Sequence, residues 1–266
     1  MSARSIALFS FVAAATARQF TVVNKCSYTV WPAVYTTPLP NNGFPDVETG
    51  WEAPPGHTKT FSAPDNWRSG RIWGRTGCDF STSLPGPTQC ATGGCNGGLL
   101  CDPQSGTGVP PASLAEWTLG GTPPNDGVSL VDGSNIPMRI EPTAGCPVAD
   151  CPADLNVDCP DPIADKDGSG KVIGCKSACE SRLANLDGNT GGDSPLCCSG
   201  SHNTPQTCPP GGITFYDHFK KGCPNSYVYA YDESSGTALW TCDTKSTKPD
   251  YTLTFCPDGD DGSAPA

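Results

Sequence analysis

Sixteen cysteines constrain this chain more than any other feature of it; they stand at positions 26, 78, 90, 95, 101, 146, 151, 159, 175, 179, 197, 198, 208, 223, 242 and 256. Cysteines at this density either hold metal or bond to one another, and the cellular compartment decides which. Residues 1–17 carry one cation (Arg4), an apolar run from Ile6 to Ala15, and then Ala15-Thr16-Ala17. That is the pattern of a secretory signal peptide cut after Ala17. The apolar run is too short to span a bilayer, and no later stretch approaches the roughly 20 apolar residues of a membrane helix. An even cysteine count outside the cytosol reads as disulfides. A structural zinc site needs C-x-x-C knuckles or Cys/His groups; the chain has no C-x-x-C, and its three histidines are His57, His202 and His218. The expectation is a secreted, soluble protein, extracellular or in a cell wall, with eight disulfides, no metal and no cofactor.

The cysteines are spread unevenly. None lies between Cys26 and Cys78 or between Cys101 and Cys146, whereas nine fall from Cys146 to Cys223 inclusive. The cysteine-poor stretches contain short β-branched or aromatic runs bounded by Gly, Pro or Asn, at 19–23, 28–34, 71–76, 114–119, 128–131, 227–231 and 251–255. Many short strands with turn signals between them predict a mainly β chain, an antiparallel sandwich or a barrel. The alternation Tyr227-Tyr229-Tyr231 reads as one face of a strand. The cysteine-rich stretch is full of Pro and Gly and cannot bury enough apolar area unaided, so covalent links must restrain it. One helix is predicted there: Ser177-Ala178-Cys179-Glu180 is a capping box, Arg182 to Leu186 are helix formers, and Gly188 stops the run. Residues 258–266 form an acidic, Gly-rich tail expected to be disordered.

The balance of 16 Lys+Arg against 27 Asp+Glu gives a net charge of −11, one unit more negative once Arg4 is removed with the signal peptide. Nucleic acid requires clustered cations, and anionic lipid does too, so both are excluded as partners. Asp165-Lys166-Asp167-Gly168-Ser169-Gly170 has the first half of a calcium loop, but position twelve is Lys176 where a bidentate Glu is required, so a Gly-rich turn is expected. His218 beside Asp217 has no G-x-S-x-G elbow to serve.

Several segments together resemble the thaumatin-like protein family. They are Cys26-Ser27-Tyr28-Thr29-Val30-Trp31, Gly70-Arg71-Ile72-Trp73-Gly74-Arg75-Thr76-Gly77-Cys78, Leu114-Ala115-Glu116-Trp117-Thr118-Leu119, Val128-Ser129-Leu130-Val131-Asp132-Gly133, Asn135-Ile136-Pro137-Met138 and Thr254-Phe255-Cys256-Pro257. The match runs from about Phe20 to Pro257 with all sixteen cysteines in order. One departure is Thr92-Gly93-Gly94-Cys95, where the family usually has Thr-Gly-Asp-Cys. Composition and tail resemble fungal members of the family more than plant ones. The resemblance implies a flattened antiparallel β-sandwich formed by 18–77, 113–158 and 223–257, a small disulfide loop region at 78–112, and a disulfide-rich lobe with a helix at 159–222. It also implies the pairing Cys26–Cys256, Cys78–Cys90, Cys95–Cys101, Cys146–Cys242, Cys151–Cys223, Cys159–Cys175, Cys179–Cys197 and Cys198–Cys208, which the spacing alone leaves open.

The resemblance further implies a cleft between sandwich and lobe, lined by one arginine and several acids. By motif these are Arg71, Glu116, Asp132 and Asp232. The first central acid of the family's pattern precedes the Val-Ser-Leu stretch, where this chain has Gly127; Asp126 fills the role only if the loop shifts, since strand parity otherwise turns its side chain away. Two carboxylates flanking a glycosidic oxygen are the minimum for sugar hydrolysis. Glu116, with Trp117 beside it, is the expected proton donor, and Asp132 the expected base or nucleophile. Arg71 holds one carboxylate ionised. Phe215, Tyr216 and Phe219 are candidate stacking surfaces for sugars, while Trp31 and Trp73 are read as core. The implied function is action on cell-wall β-1,3-glucan, either weak endo-hydrolysis or glucan binding in antifungal defence without cleavage, by a monomer. An Arg71–Glu116 ion pair serving structure alone is the plainer alternative.

Overall fold

The computed structural model describes residues 17–181, 183, 192–242 and 248–259. Two sheets face one another. The first runs β3 (Thr58–Pro64), β1 (Ala17–Asn24), β13 (Tyr251–Phe255), β7 (Met138–Pro142), β8 (Ala149–Cys151). The second runs β11 (Ser226–Tyr227), β6 (Asn125–Ser129), β5 (Leu114–Thr118), β4 (Gly70–Arg75), β2 (Trp31–Thr36), with β12 (Trp240–Thr241) also pairing β6. Neighbours are antiparallel except β1 with β13 and β11 with β6, which run parallel. Alternation drives the layering: in β1, Phe20 and Val22 point inward while their neighbours stay more open. Phe20 gathers the inter-sheet core, with ring centroids 5.2 Å from Trp67, 5.2 Å from Trp117 and 5.1 Å from Tyr251. Edge-to-face and offset pairs of this kind contribute roughly 0.5–1.5 kcal/mol each beyond their burial.

The second sheet is also covered on its outer face, over part of its area. Ala33, Tyr35, Trp73 and Leu114 pack there against Cys95 and Cys101 of the small disulfide region. Arg75 secures that region. It is fully buried and donates to the carbonyls of Trp31 (2.9 Å), Gly98 (2.6 Å) and Leu99 (2.9 Å), and burial pushes its guanidinium down to about 10. The rest of the outer face is left for the trough described below.

All eight expected disulfides are formed with the expected partners. The pairing of Cys26 with Cys256 follows from topology: each follows its strand by one or two residues, and β1 and β13 are parallel neighbours, so the two chain ends leave side by side. Closing a 230-residue span restrains the unfolded chain by about 4–5 kcal/mol at most in the entropic description.

The lobe differs from expectation in its helix. The helix α1 is Tyr216–Gly222. Of the predicted capping box, the Ser177 hydroxyl accepts from the Glu180 N–H at 3.2 Å; the body of that predicted helix, at 182 and 184–191, lies outside the described residues. The strand expected at 227–231 ends at Tyr227, because the Asp232 carboxylate takes the Val228 N–H at 2.9 Å and turns the chain into a 3-10 helix. Strands β9 (Ala164–Lys166) and β10 (Val172–Cys175) form a hairpin whose turn is held by Asp167, which accepts from the N–H groups of Ser169 and Lys171. Asp258, placed in the tail by its composition, is instead gripped by Arg139 at 3.1 and 3.3 Å; residues 260–266 and the predicted signal segment up to residue 16 lie outside the described residues. Among the described residues no helix is long and apolar enough to cross a membrane.

Candidate active site

The site is built on one transverse row of the second sheet. Arg71 of β4 lies directly opposite Glu116 of β5, and Glu116 lies opposite Gly127 of β6. Cross-strand partners share a face. The adjoining row, Ile72, Ala115 and Val128, is buried in the core, so Arg71 and Glu116 must face outward. They look into a trough of about 400 Å³ whose lining also includes Thr118, Asn125, Gly127 and Tyr227.

A turn after β6 brings in the second acid. Gly133 adopts φ 87°, a left-handed conformation that favours glycine, and its N–H bonds the Leu130 carbonyl at 2.9 Å. That turn holds Asp132 with its carboxylate 3.9 Å from Nη1 of Arg71, while Glu116 stands 3.6 Å from Nη2. One guanidinium is therefore shared by two carboxylates at ion-pair distance.

The same two influences act on both acids. Burial pushes the Glu116 carboxyl above the usual range, although 40% of the side-chain surface is open. Arg71 opposes that rise, the charge of Asp132 adds to it, and the Ser129 hydroxyl opposes it. Asp132 is raised by burial with only Arg71 acting on it in the other direction. Burial thus favours the protonated form of both acids and Arg71 the ionised form, and Glu116 alone carries a further rise from its acidic neighbour.

The other expected site residues are placed elsewhere. Asp126 pairs in register with Trp117, not Glu116, so its side chain enters the core face as strand parity dictates. It is 3% exposed, its Oδ2 has no hydrogen-bond partner, and burial pushes its carboxyl up to about 7. Trp117 and Asp126 underlie the trough rather than face it. Asp232 is fully buried, and both its oxygens are occupied: Oδ1 accepts from the Tyr216 hydroxyl at 2.8 Å, and Oδ2 from Lys220 at 3.0 Å and from the Val228 N–H. It is a joint between α1 and the chain after β11, out of reach of a sugar. Phe219 is 2% exposed within the main core and cannot stack on a ligand. Phe215 and Tyr216 line a separate open depression with Pro210, Gly211, Ile213 and Asp217, apart from Arg71 and Glu116. Trp73 is buried with its indole N–H on the Gly93 carbonyl at 2.8 Å.

The aromatic ring that does line the trough is Tyr227. A Cβ on Gly127 would stand 3.2 Å from the Ala238 carbonyl oxygen and 3.4 Å from that ring, so the tyrosine packs directly over the glycine. Its hydroxyl donates to Glu233 at 3.2 Å. The sequence carried a glycine here where the family pattern has an acid, which by itself does not say which side chain packs over it.

Comparison with known proteins gives a consistent result. The model of the thaumatin family matches residues 24–257. A relative named thaumatin-like protein 1, from Arabidopsis thaliana, is 41% identical over 251 residues, covering 89% of this chain and 85% of that one. A Prunus avium protein named glucan endo-1,3-beta-glucosidase is 38% identical over 261 residues, covering 95% and 96%. Among solved structures, a laminaripentaose-producing beta-1,3-glucanase of GH family 64 from Paenibacillus barengoltzii superposes with a TM-score of 0.54, covering 93% of this chain and 76% of that one. At 12% identity, that likeness concerns the fold alone.

Proposed function

This chain belongs to the thaumatin family, and we propose that it is a secreted protein that binds cell-wall β-1,3-glucan along the Arg71–Glu116 trough and cleaves it slowly as an endo-glucanase. The observation that carries the reading is the sharing of Arg71 by Glu116 and Asp132, with burial raising the Glu116 carboxyl. In the reaction, protonated Glu116 gives its proton to the glycosidic oxygen as the bond from that oxygen to the anomeric carbon breaks. A water attacks the anomeric carbon and loses its proton to Asp132, so each half of the cut chain leaves as a complete sugar. Arg71 opposes the rise that burial imposes on the Asp132 carboxyl and so favours the ionised form this task needs. Tyr227 supplies an apolar ring face beside the acids. The Prunus avium relative's name supports the substrate class. Eight disulfides and the leader pattern support an extracellular site of action.

A second reading, glucan binding without cleavage, draws on a specific feature. Both acids lie on the same cation and Gly127 faces Glu116 with no third carboxylate in the row. The two are separated by measuring reducing ends released from a soluble β-1,3-glucan alongside retention on the insoluble polymer. Hydrolysis predicts release that Glu116→Gln abolishes while retention persists; retention with no release in the wild type would leave binding alone.

A further inference from the structure

The outward face of the second sheet continues past Arg71 and Glu116. Two residues along β5 and two residues back along β6, Thr118 lies opposite Asn125, and Asn125 lies opposite Thr241 of β12. Side chains two apart in a strand share a face, so Thr118 and Asn125 point the same way as Glu116 and Gly127. Two strand steps set this second row roughly 6–7 Å from the first, a separation on the scale of a single glucose unit. Thr118 and Asn125 are half-buried and both line the trough, whereas Thr241 is exposed and stands outside the lining. The first row is charged; the second is neutral.

The backbone under Asn125 is held from both sides. β6 pairs with β5 along one edge and with β12 along the other. Cys242, the residue after β12, donates its N–H to the Pro124 carbonyl at 3.3 Å and is bonded to Cys146. Beyond β6 the trough is walled by Tyr227 and by Leu239, just before β12. At the opposite rim the Thr118 hydroxyl accepts the Ser69 N–H at 3.4 Å and keeps its own hydrogen to give. Among the described residues nothing bonds the Asn125 side-chain amide. A fixed strand thus presents an unengaged carboxamide to the trough, next to the acids.

We propose that Asn125, with Thr118, forms a second sugar subsite that holds the glucose unit neighbouring the one at Arg71 and Glu116. The subsite presupposes the glucan reading of the trough. A carboxamide offers two donors and an acceptor without charge, so it bonds sugar hydroxyls in both directions at once. An ionised carboxylate in the first row only accepts, and Arg71 only donates. The neutral row therefore adds affinity for chains long enough to span both rows and leaves the charge beside Glu116 unaltered. Because two ladders already fix its backbone, Asn125 meets a sugar with little ordering left to do.

The test uses the full disulfide-bonded chain and two variants, Asn125→Ala and Thr118→Val, whose melting curves are compared with the wild type first. Calorimetric binding of a β-1,3-linked glucose hexamer should weaken about 5- to 10-fold in Asn125→Ala and less in Thr118→Val, the range for losing one or two neutral hydrogen bonds. The KM for soluble glucan should rise by a similar factor with kcat little changed. Proton–nitrogen NMR should show the Asn125 side-chain amide resonances moving when hexamer is added. A merely structural role would not move them, and this readout uses the wild type alone. Equal hexamer affinity in wild type and Asn125→Ala, or amide resonances that stay in place at saturating hexamer, overturns the subsite and leaves the glucan reading standing. Failure of the wild type to bind the hexamer overturns both.

Discussion

Glu116 stands opposite Gly127 in the β5–β6 ladder, and Asp126, one residue earlier, stands opposite Trp117. A one-residue offset in a strand reverses the face of a side chain. The offset therefore removes one acid from the trough and puts a carboxyl into the core. Two of the predictions below follow from that relationship.

If Glu116 is the proton donor of the proposed hydrolysis, Glu116→Gln reduces the release of reducing ends from soluble β-1,3-glucan by about 10²-fold or more, the range typical for losing a general acid. Affinity for glucan should change little, because Gln keeps the shape and one acceptor. Parallel activity and binding curves check this; equal activity in the variant would remove Glu116 from the chemistry.

Arg71 lowers the proton affinity of both Glu116 and Asp132. Arg71→Met should therefore raise both carboxyls further and move the whole pH–activity curve to higher pH. The direction follows from removing a positive charge that favoured the ionised forms. A pH profile of kcat/KM measures it, and a shift to lower pH would contradict the pairing.

Asp126 makes the protein less stable as pH rises. Its carboxyl is near 4 in an unfolded chain and about 7 when folded, so the fold prefers it neutral. Its contribution is fully present below pH 4 and is lost progressively as pH rises toward 7. The loss is on the order of 2–4 kcal/mol from the linkage between proton affinity and folding. Asp126→Asn should flatten that part of the stability curve and raise the melting temperature at neutral pH. Melting curves from pH 4 to 8 decide it.

Asp232→Ala should destabilise the lobe without altering the trough directly. Lys220, 15% exposed, would keep its charge and lose its carboxylate, and the Tyr216 hydroxyl and Val228 N–H would lose their acceptor. Breaking a buried pair from one side costs about 3–5 kcal/mol. A marked fall in melting temperature, with glucan affinity recovered at low temperature, is the expected outcome; loss of affinity at unchanged stability would return Asp232 to the site.

Arg71 and Glu116 were legible because they combine a family motif with strand alternation, and alternation is a local property. Asp126 is decided by parity, which the sequence already carries: one residue from the outward-facing position, it turns into the core. Asp232 was not legible, since its motif position says nothing about Lys220 twelve residues earlier in the chain. Phe219 misled for a similar reason, because a seven-residue helix gives too few turns to reveal its buried face. Tyr227 was hidden in a tyrosine alternation that looked like a longer strand, which ends once Asp232 intercepts the Val228 N–H.

The Cys26–Cys256 bond encloses nearly every loop of the molecule within a single covalent ring. A protease that nicks any of those loops leaves the pieces still fastened, so fragments do not diffuse apart and the clipped protein has the chance to reclose around its break. Survival in the presence of proteases then depends on how many cuts accumulate rather than on avoiding the first.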